Sequence, residues 1–556
     1  MTTVNSKPKV YAPVAVSDNA RVVLERRYLA KDEAGQVIET PEELFARVAH
    51  NVAQAELLYQ PLEDADAVAR WEERFYRVMA DLSFMPNSPT LMNAGRELQQ
   101  LSACFVLPVA DSIDGIFESV KHTALIHKSG GGTGFAFSRV RPEGDRVKST
   151  MGVASGPVSF LKIFDCATEQ IKQGGTRRGA NMGILAVDHP DIEKFIAMKG
   201  DMVTLTNFNI SVAATEQFME AVAKGEELEL VNPRTGQVVA RKDARQMFDT
   251  MVQNAWRNGD PGLIFIDRIN GSESNPVPKY GRIEATNPCG EEPLFPYESC
   301  NLGSINLAKF VRRGNSRIAP ANQIDWQRLG QVVTTCVRFL DNVIDMNRYP
   351  IPQIEEMSKK MRRIGLGVMG FADLLFQLRI PYDSEEGLKL GEEVMAFIQR
   401  TANEASLRLA EERGVYPAWE DSIHKEVGAH GHAPLRYRNC NRTVIAPTGT
   451  ISIIADCSSG IEPLFALAFT RTHYLDAKDP SAGTQLIEVN EAFQRVAKEE
   501  GFYSDELIEY LAEGSHLAER PEVPEWVKKV FVTAHDITPE WHVRMQAAFQ
   551  RHTDNA

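Results

Sequence analysis

Apolar residues recur along this chain at two spacings, and the two alternate. After Thr40-Pro41-Glu42-Glu43, Leu44, Val48 and Val52 return at the interval that lines one face of a helix. Thr40 is placed to cap that helix, Pro41 to occupy its first position and Glu43 to close a capping box. A second helix is predicted from about Asp66 to Leu82, and a third from Asp111-Ser112-Ile113-Asp114 towards Lys128. Short continuous apolar runs bounded by turn residues lie between and after these: Cys104-Phe105-Val106, Gly262 to Ile266, Arg363 to Gly370 and Thr443 to Ala446. Runs of this kind read as buried strands. Further helices are predicted around Trp326 to Met346 and from Ser384, its cap, to Arg413, with Gly414 as the stop. The alternation argues for a parallel α/β sheet or barrel. Residues 1–20 read as a loose leader and 21–85 as an N-terminal helical region. After Thr472 the chain reads as polar and mostly helical.

The bulk numbers narrow the function classes. At 556 residues the chain is long enough for a large core or several domains. A net charge of −14 argues against a general nucleic-acid binder. No apolar run is long enough to span a membrane, and Met1 to Ala20 has no signal-peptide pattern, so neither a membrane nor a nucleic-acid partner is expected. Seven cysteines in this length fit a reducing compartment with thiol chemistry, hence a cytoplasmic location, better than a disulfide scaffold. No metal-ligating cluster is expected.

Candidate chemistry concentrates at Asn287-Pro288-Cys289-Gly290-Glu291-Glu292-Pro293-Leu294. Pro288 pushes Asn287 into an extended conformation, and Gly290 lets the backbone bend. If Asn287, Cys289 and Glu291 are extended, an amide, a thiol and a carboxylate share one side. A buried turn with a structural cysteine is the plainer reading, but a core would avoid those polar groups unless they were used. Two glycine-rich segments stand apart. Ser129-Gly130-Gly131-Gly132-Thr133-Gly134-Phe135 can cradle phosphate through bare N–H groups, but it is neither a P-loop nor a dinucleotide fingerprint. Gln173-Gly174-Gly175-Thr176-Arg177-Arg178-Gly179 adds paired arginines, whose forks suit triphosphate. Thr443 to Ser452 reads as a strand and then a turn, where hydroxyls and free N–H groups can hold phosphate.

The run Asn-Pro-Cys-Gly-Glu-Glu-Pro-Leu, followed by Ser-Cys-Asn-Leu-Gly-Ser-Ile-Asn-Leu from Ser299, resembles the ribonucleotide reductases. It is most similar to their class II, adenosylcobalamin-dependent members. The resemblance implies reduction of ribonucleoside diphosphates to deoxyribonucleotides by a radical on Cys289. Glu291 would take the 3′-hydroxyl proton, Asn287 would hold that oxygen, and Cys104 with Cys300 would supply two electrons as a dithiol. It implies substrate contacts at Ser88, Ala103, Cys104, Gly132 and Asn287, Pro288, Cys289, Gly290 and Glu291, with the diphosphate at Pro447, Thr448, Gly449, Thr450 and Ile451. It implies a nucleotide effector (ATP or a deoxynucleoside triphosphate) at Asp111, Arg139, Gly174, Gly175, Thr176, Arg177 and Arg178, read out through Met198 to Asn207. The implied fold is the family's ten-stranded α/β barrel over 86–556, lacking its final strand, with the cysteine motif on an internal loop and specificity-site elements at about 111–210. The implied partners are thioredoxin or glutaredoxin, a second copy in a homodimer, and a separate C-terminal piece, since the chain holds no Cys-x-x-Cys. The alternatives are a class I large subunit needing a radical-generating small subunit, and a non-catalytic nucleotide-binding fragment.

Overall fold

The structure, a computed structural model, describes residues 13–59, 66–146, 152–171, 179–201, 203–312, 323–426, 433–474 and 483–555. The expected effector residues Gly174, Gly175, Thr176, Arg177 and Arg178 lie outside them. Fourteen strands occur among the described residues. In chain order they are β1 Phe84–Pro86, β2 Cys104–Pro108, β3 Gly132–Ala136, β4 Asn181–Ala186, β5 Phe208–Ala214, β6 Glu227–Val231, β7 Val238–Asp243, β8 Gly262–Phe265, β9 Ala285–Thr286, β10 Pro293–Leu294, β11 Ser299–Asn306, β12 Ile364–Met369, β13 Ala468–Tyr474 and β14 Gly483–Val489.

The N-terminal helices form where the capping signals stand. Thr40 Oγ1 accepts from Glu43 N at 3.3 Å, and the Glu43 carboxylate accepts from Thr40 N at 2.8 Å. This box starts the Pro41–Ala53 helix, and such a cap stabilises a helix by ~1 kcal/mol. Leu44, Val48 and Val52 are fully buried in the main core, as their spacing required. Helical structure begins before residue 21, where the helical region was expected to start. A helix runs Asp18–Arg27, capped by Ser17 Oγ accepting from Ala20 N at 3.2 Å, and Ala20 and Leu24 are buried. The polar charged stretch hid that helix, because only two of its side chains face the core.

The sheet has two parallel halves. Strands β2, β3, β4, β5 and β8 run parallel in that spatial order. β11 and β12 are parallel to each other, and β1 pairs with β11 from the other direction. One antiparallel contact joins the halves: Ser299 opposite Phe105 and Cys300 opposite Cys104. Every residue of β11 and β12 is buried, as in a parallel sheet covered by helices on its outer face. This is the sheet of an α/β barrel. Of the family's ten strands, the last of which was expected to be missing here, eight form ladders, and two single parallel bridges extend the sheet, Leu366 to Thr443 and Val444 to Asn555. The run at Thr443 thus contributes bridges and no ladder. The segment after Thr472 begins with the β13–β14 hairpin before it turns helical. No helix among the described residues is long and apolar enough to cross a membrane.

A buried ionic network ties the helical region to the barrel. Glu56 is fully buried and accepts from Arg338 at 2.7 Å and Arg413 at 2.8 Å. Arg413 also reaches Asp341 at 2.8 Å, which Arg362 engages at 2.8 Å. Burial pushes the Asp341 carboxyl up, but Arg362, Arg438 and Arg413 together outweigh it and hold the group well below the usual carboxylate range. Removing one partner of such a pair strands a buried charge, at a cost of about 3–5 kcal/mol. Asp341→Ala is therefore expected to lower the unfolding free energy by about that much in urea titration. A loss below ~1 kcal/mol would mean that solvent reaches these arginines.

Candidate active site

The motif forms a tight loop inside the barrel. β9 and β10 pair antiparallel, Thr286 opposite Pro293, so the six residues between them must turn back sharply. Asn287 Oδ1 accepts from Glu292 N at 3.0 Å, Glu292 O accepts from Asn287 N at 3.2 Å, and Asn287 O accepts from Gly290 N at 3.1 Å. Gly290 has φ +91°, a conformation that disfavours any other residue here.

The glycine-rich segment supports this loop. Its turn ends at Gly131, and Gly132 and Gly134 lie in β3. A Cβ on Gly134 would sit 1.7 Å from Thr286 O, and one on Gly132 would sit 2.8 Å from Pro288 Cγ. Asn209 Nδ2, on β5, donates to Pro288 O at 2.8 Å. The loop therefore rests on bare backbone and is held from the side by one amide.

The chemical groups converge on Asn287. Its Nδ2 donates to Cys104 Sγ at 3.1 Å and to Glu291 Oε2 at 2.8 Å. Glu291 is buried, and burial raises its carboxyl above the usual range although Asn287 pulls it down. Cys104 and Cys300 are opposite one another across β2 and β11. Directly opposed residues in an antiparallel pair have Cα atoms ~4.5–5.5 Å apart, inside disulfide range. Both thiols are buried. Burial pushes both well up, helped at Cys104 by Glu291 and at Cys300 by Glu292, so both stay protonated at neutral pH. Cys289 differs: it is exposed and, with Gly290 and Glu291, lines a cavity of about 1090 Å³. Met182, Ser211, Leu263 and Pro447 line the same cavity.

The other expected residues fall in several places. Pro447 reaches the cavity. Thr448 sits at φ +54° with its hydroxyl accepting from Gly460 N at 2.7 Å, and Gly449 and Thr450 lead into a short helix that starts at Ile451. Ala103 O accepts from Gly132 N at 3.0 Å, which puts these two beside the loop. Ser88 is buried against Tyr28, hydroxyl to hydroxyl at 2.7 Å. Asp111 is engaged by Arg141 at 2.8 Å, and Arg139 by Glu284 at 2.8 Å, so both expected effector contacts hold protein partners. Asn209 and Glu292 belong to the site although the sequence reading passed them over. Glu292 could have been found, since the residue after Glu291 in an extended stretch must face the other way.

Two family models match the chain: ribonucleotide reductase, all-alpha domain, over residues 15–99, and ribonucleotide reductase, barrel domain, over residues 102–556. The chain belongs to the ribonucleotide reductase family. It is 51% identical to the vitamin B12-dependent ribonucleoside-diphosphate reductase of Thermoplasma acidophilum, over 97% of this chain and 74% of that one. It is 49% identical to the enzyme of the same description from Mycobacterium tuberculosis, strain CDC 1551, again over 97% and 74%. Among solved structures it is similar to the Actinobacillus ureae class Id ribonucleotide reductase alpha subunit, with a TM-score of 0.73 and 22% identity over 97% of this chain and 90% of that one. That likeness concerns the fold, and it matches the reductase barrel expected from the motif.

The bare backbone contact yields a prediction. Gly134→Ala must lift the Thr286 to Glu291 loop off β3, and overpacking of this kind costs about 1–3 kcal/mol. Stability should fall by that amount in denaturant titration and ribonucleotide reduction should be lost. A variant with wild-type turnover would show that the loop does not need this seat.

Proposed function

We propose that this reductase converts ribonucleoside diphosphates to 2′-deoxyribonucleoside diphosphates, with adenosylcobalamin as cofactor, a deoxynucleoside triphosphate or ATP as effector and a thioredoxin-type dithiol as final reductant. One observation carries the reading: a single loop presents an exposed cysteine to a cavity while its Asn287 amide touches both the acid and one thiol of a buried cross-strand pair. The two relatives described as vitamin B12-dependent, at 51% and 49% identity, support the cofactor and the diphosphate level.

The donor set fits that cofactor. Cys289 is the accessible sulfur, and the cavity wall at Met182, Ser211 and Leu263 would hold the group beside it. When bound, adenosylcobalamin supplies the one-electron chemistry that side chains lack. The rest falls to this chain. The Cys289 sulfur takes the hydrogen of the ribose 3′ carbon. Glu291, with its raised proton affinity, accepts the 3′-hydroxyl proton, and Asn287 holds its carboxylate in place. Cys104 and Cys300 each give up a hydrogen, the 2′-hydroxyl leaves as water, and the two sulfurs are left joined; Cys289 then returns the hydrogen to the 3′ carbon and Glu291 returns the proton to the 3′ oxygen. The high proton affinity of Cys104 and Cys300 suits them to donate hydrogen rather than act as free thiolates. Enclosure of Glu291 and the dithiol keeps competing water away. Ile113 and Phe117 are exposed one turn apart on the Ile113–Lys128 helix, which supports association as a homodimer.

Cys289→Ser should abolish reduction and leave nucleotide binding intact, since a hydroxyl oxygen cannot carry the radical. In wild-type protein, one turnover without external reductant should leave Cys104 joined to Cys300 in a peptide map. Turnover by the serine variant, or product formed with both thiols free, would refute the mechanism.

A further inference from the structure

The loop carries two adjacent carboxyls, and the mechanism uses one. Glu291 points to Asn287 and the cavity wall. Glu292 points the opposite way, into the sheet, and is fully buried. Cys300 Sγ–H donates to Glu292 Oε1 at 3.4 Å, and Asn555 Nδ2 donates to Glu292 Oε2 at 3.0 Å. A Cβ on Gly365 would come within 2.7 Å of Oε1, so a bare β12 backbone makes room for this carboxyl. The ionisable groups facing it are Glu291 on its own loop, Glu298 and Cys300 at the start of β11, Arg363 before β12 and, through Cys300, Cys104 on β2. Arg363 is itself held by Glu298 at 2.6 Å and by Asn441. A buried carboxyl in contact with a thiol of the redox pair is more than core packing requires.

Resetting the enzyme poses a problem that this contact solves. A thiol leaves a disulfide faster the lower its proton affinity. Burial pushes Cys300 the wrong way, so its bare thiolate is a poor leaving group. Cys104 has the Asn287 amide to support negative charge at sulfur, whereas the hydrogen-bond partners of Cys300 are two acceptors, the carboxyl and its neighbour's carbonyl, and Arg363, the cation that lowers its proton affinity, is already bound to Glu298.

Building on the reductase reading, we propose that Glu292 is the proton donor to Cys300 when the oxidised Cys104–Cys300 pair is reduced by a dithiol. A thiolate of the dithiol attacks Cys104 Sγ, forming a mixed disulfide. The Cys104–Cys300 bond breaks, its electron pair goes to Cys300 Sγ, and the Glu292 carboxyl proton follows. The second thiol of the reductant loses its proton to solvent and attacks the mixed disulfide. Cys104 leaves and takes a proton from solvent, as Glu292 does. The dithiol is oxidised by two electrons and the cysteine pair is reduced by two. Burial holds the Glu292 proton up to about 8, with Glu291 and Glu298 adding to the effect and Arg363 opposing it, so the acid is loaded at neutral pH.

The test needs neither substrate nor cofactor. The full chain is oxidised with diamide, the Cys104–Cys300 link is verified by peptide mapping, and its opening by dithiothreitol is followed by alkylation and mass spectrometry from pH 6 to 10. For wild type, the rate per dithiothreitol thiolate should be level in acid and fall tenfold per pH unit above about 8. In Glu292→Gln it should be roughly a hundredfold lower, the order of a general-acid effect, and without that fall. Glu292→Asp should keep the fall at a reduced rate. A linked pair that opens in Glu292→Gln as fast as in wild type overturns the role of Glu292 and leaves the reductase reading standing. Failure of diamide to link the pair overturns both. If Gln does not fold at this position, a wild-type rate per thiolate that stays level up to pH 10 overturns the proposal.

Discussion

The structure depends on one antiparallel contact between two parallel half-sheets. Parallel strands need crossover helices, so each half can be built from local α/β units. The junction of β2 with β11 has no such local source, and only the closed shape brings it about. Cys104 and Cys300 face each other at this junction, Phe105 lies opposite Ser299, and Ser299 Oγ donates to Ser102 Oγ at 3.4 Å across 197 positions. The redox pair is thus a property of the barrel. Any register slip at β2–β11 would turn one sulfur to the opposite face.

Much of this was legible in the sequence, for identifiable reasons. The Thr40 capping box, the Leu44, Val48 and Val52 stripe and the buried run at Cys104 are local signals, and the structure reproduces them, whereas the run at Gly262 forms a strand in which only Ile264 is buried and Phe265 is exposed. Asn287 and Glu291 do meet, but through a sharp turn at Gly290 and not through the extended alternation that the motif suggests. What escaped was non-local. No local pattern places Asn209 under Pro288 O, or Glu56 between Arg338 and Arg413, because those contacts join segments far apart in the chain. The residues expected to touch an effector, Asp111 and Arg139, have lone-charge character in sequence but meet Arg141 and Glu284 in space.

Glycine carried two meanings that only the structure separates. The segment from Ser129 looked like a phosphate cradle, since bare N–H groups suit anions. Gly132 and Gly134 instead make a seat for another stretch of backbone. Both uses require a missing side chain, and sequence alone does not say what fills the space.

That seat has a dynamic consequence. Where Gly134 meets Thr286 O, peptide unit lies on peptide unit, with no rotamer between them to hop. The backbone of the loop bearing Cys289 is thus seated on the sheet there by main chain and not by side chains. What remains to set the distance from its sulfur to anything held by the barrel wall is the single side-chain torsion of the exposed Cys289. Hydrogen transfer falls off steeply with distance, so a reaction at this sulfur depends on that torsion.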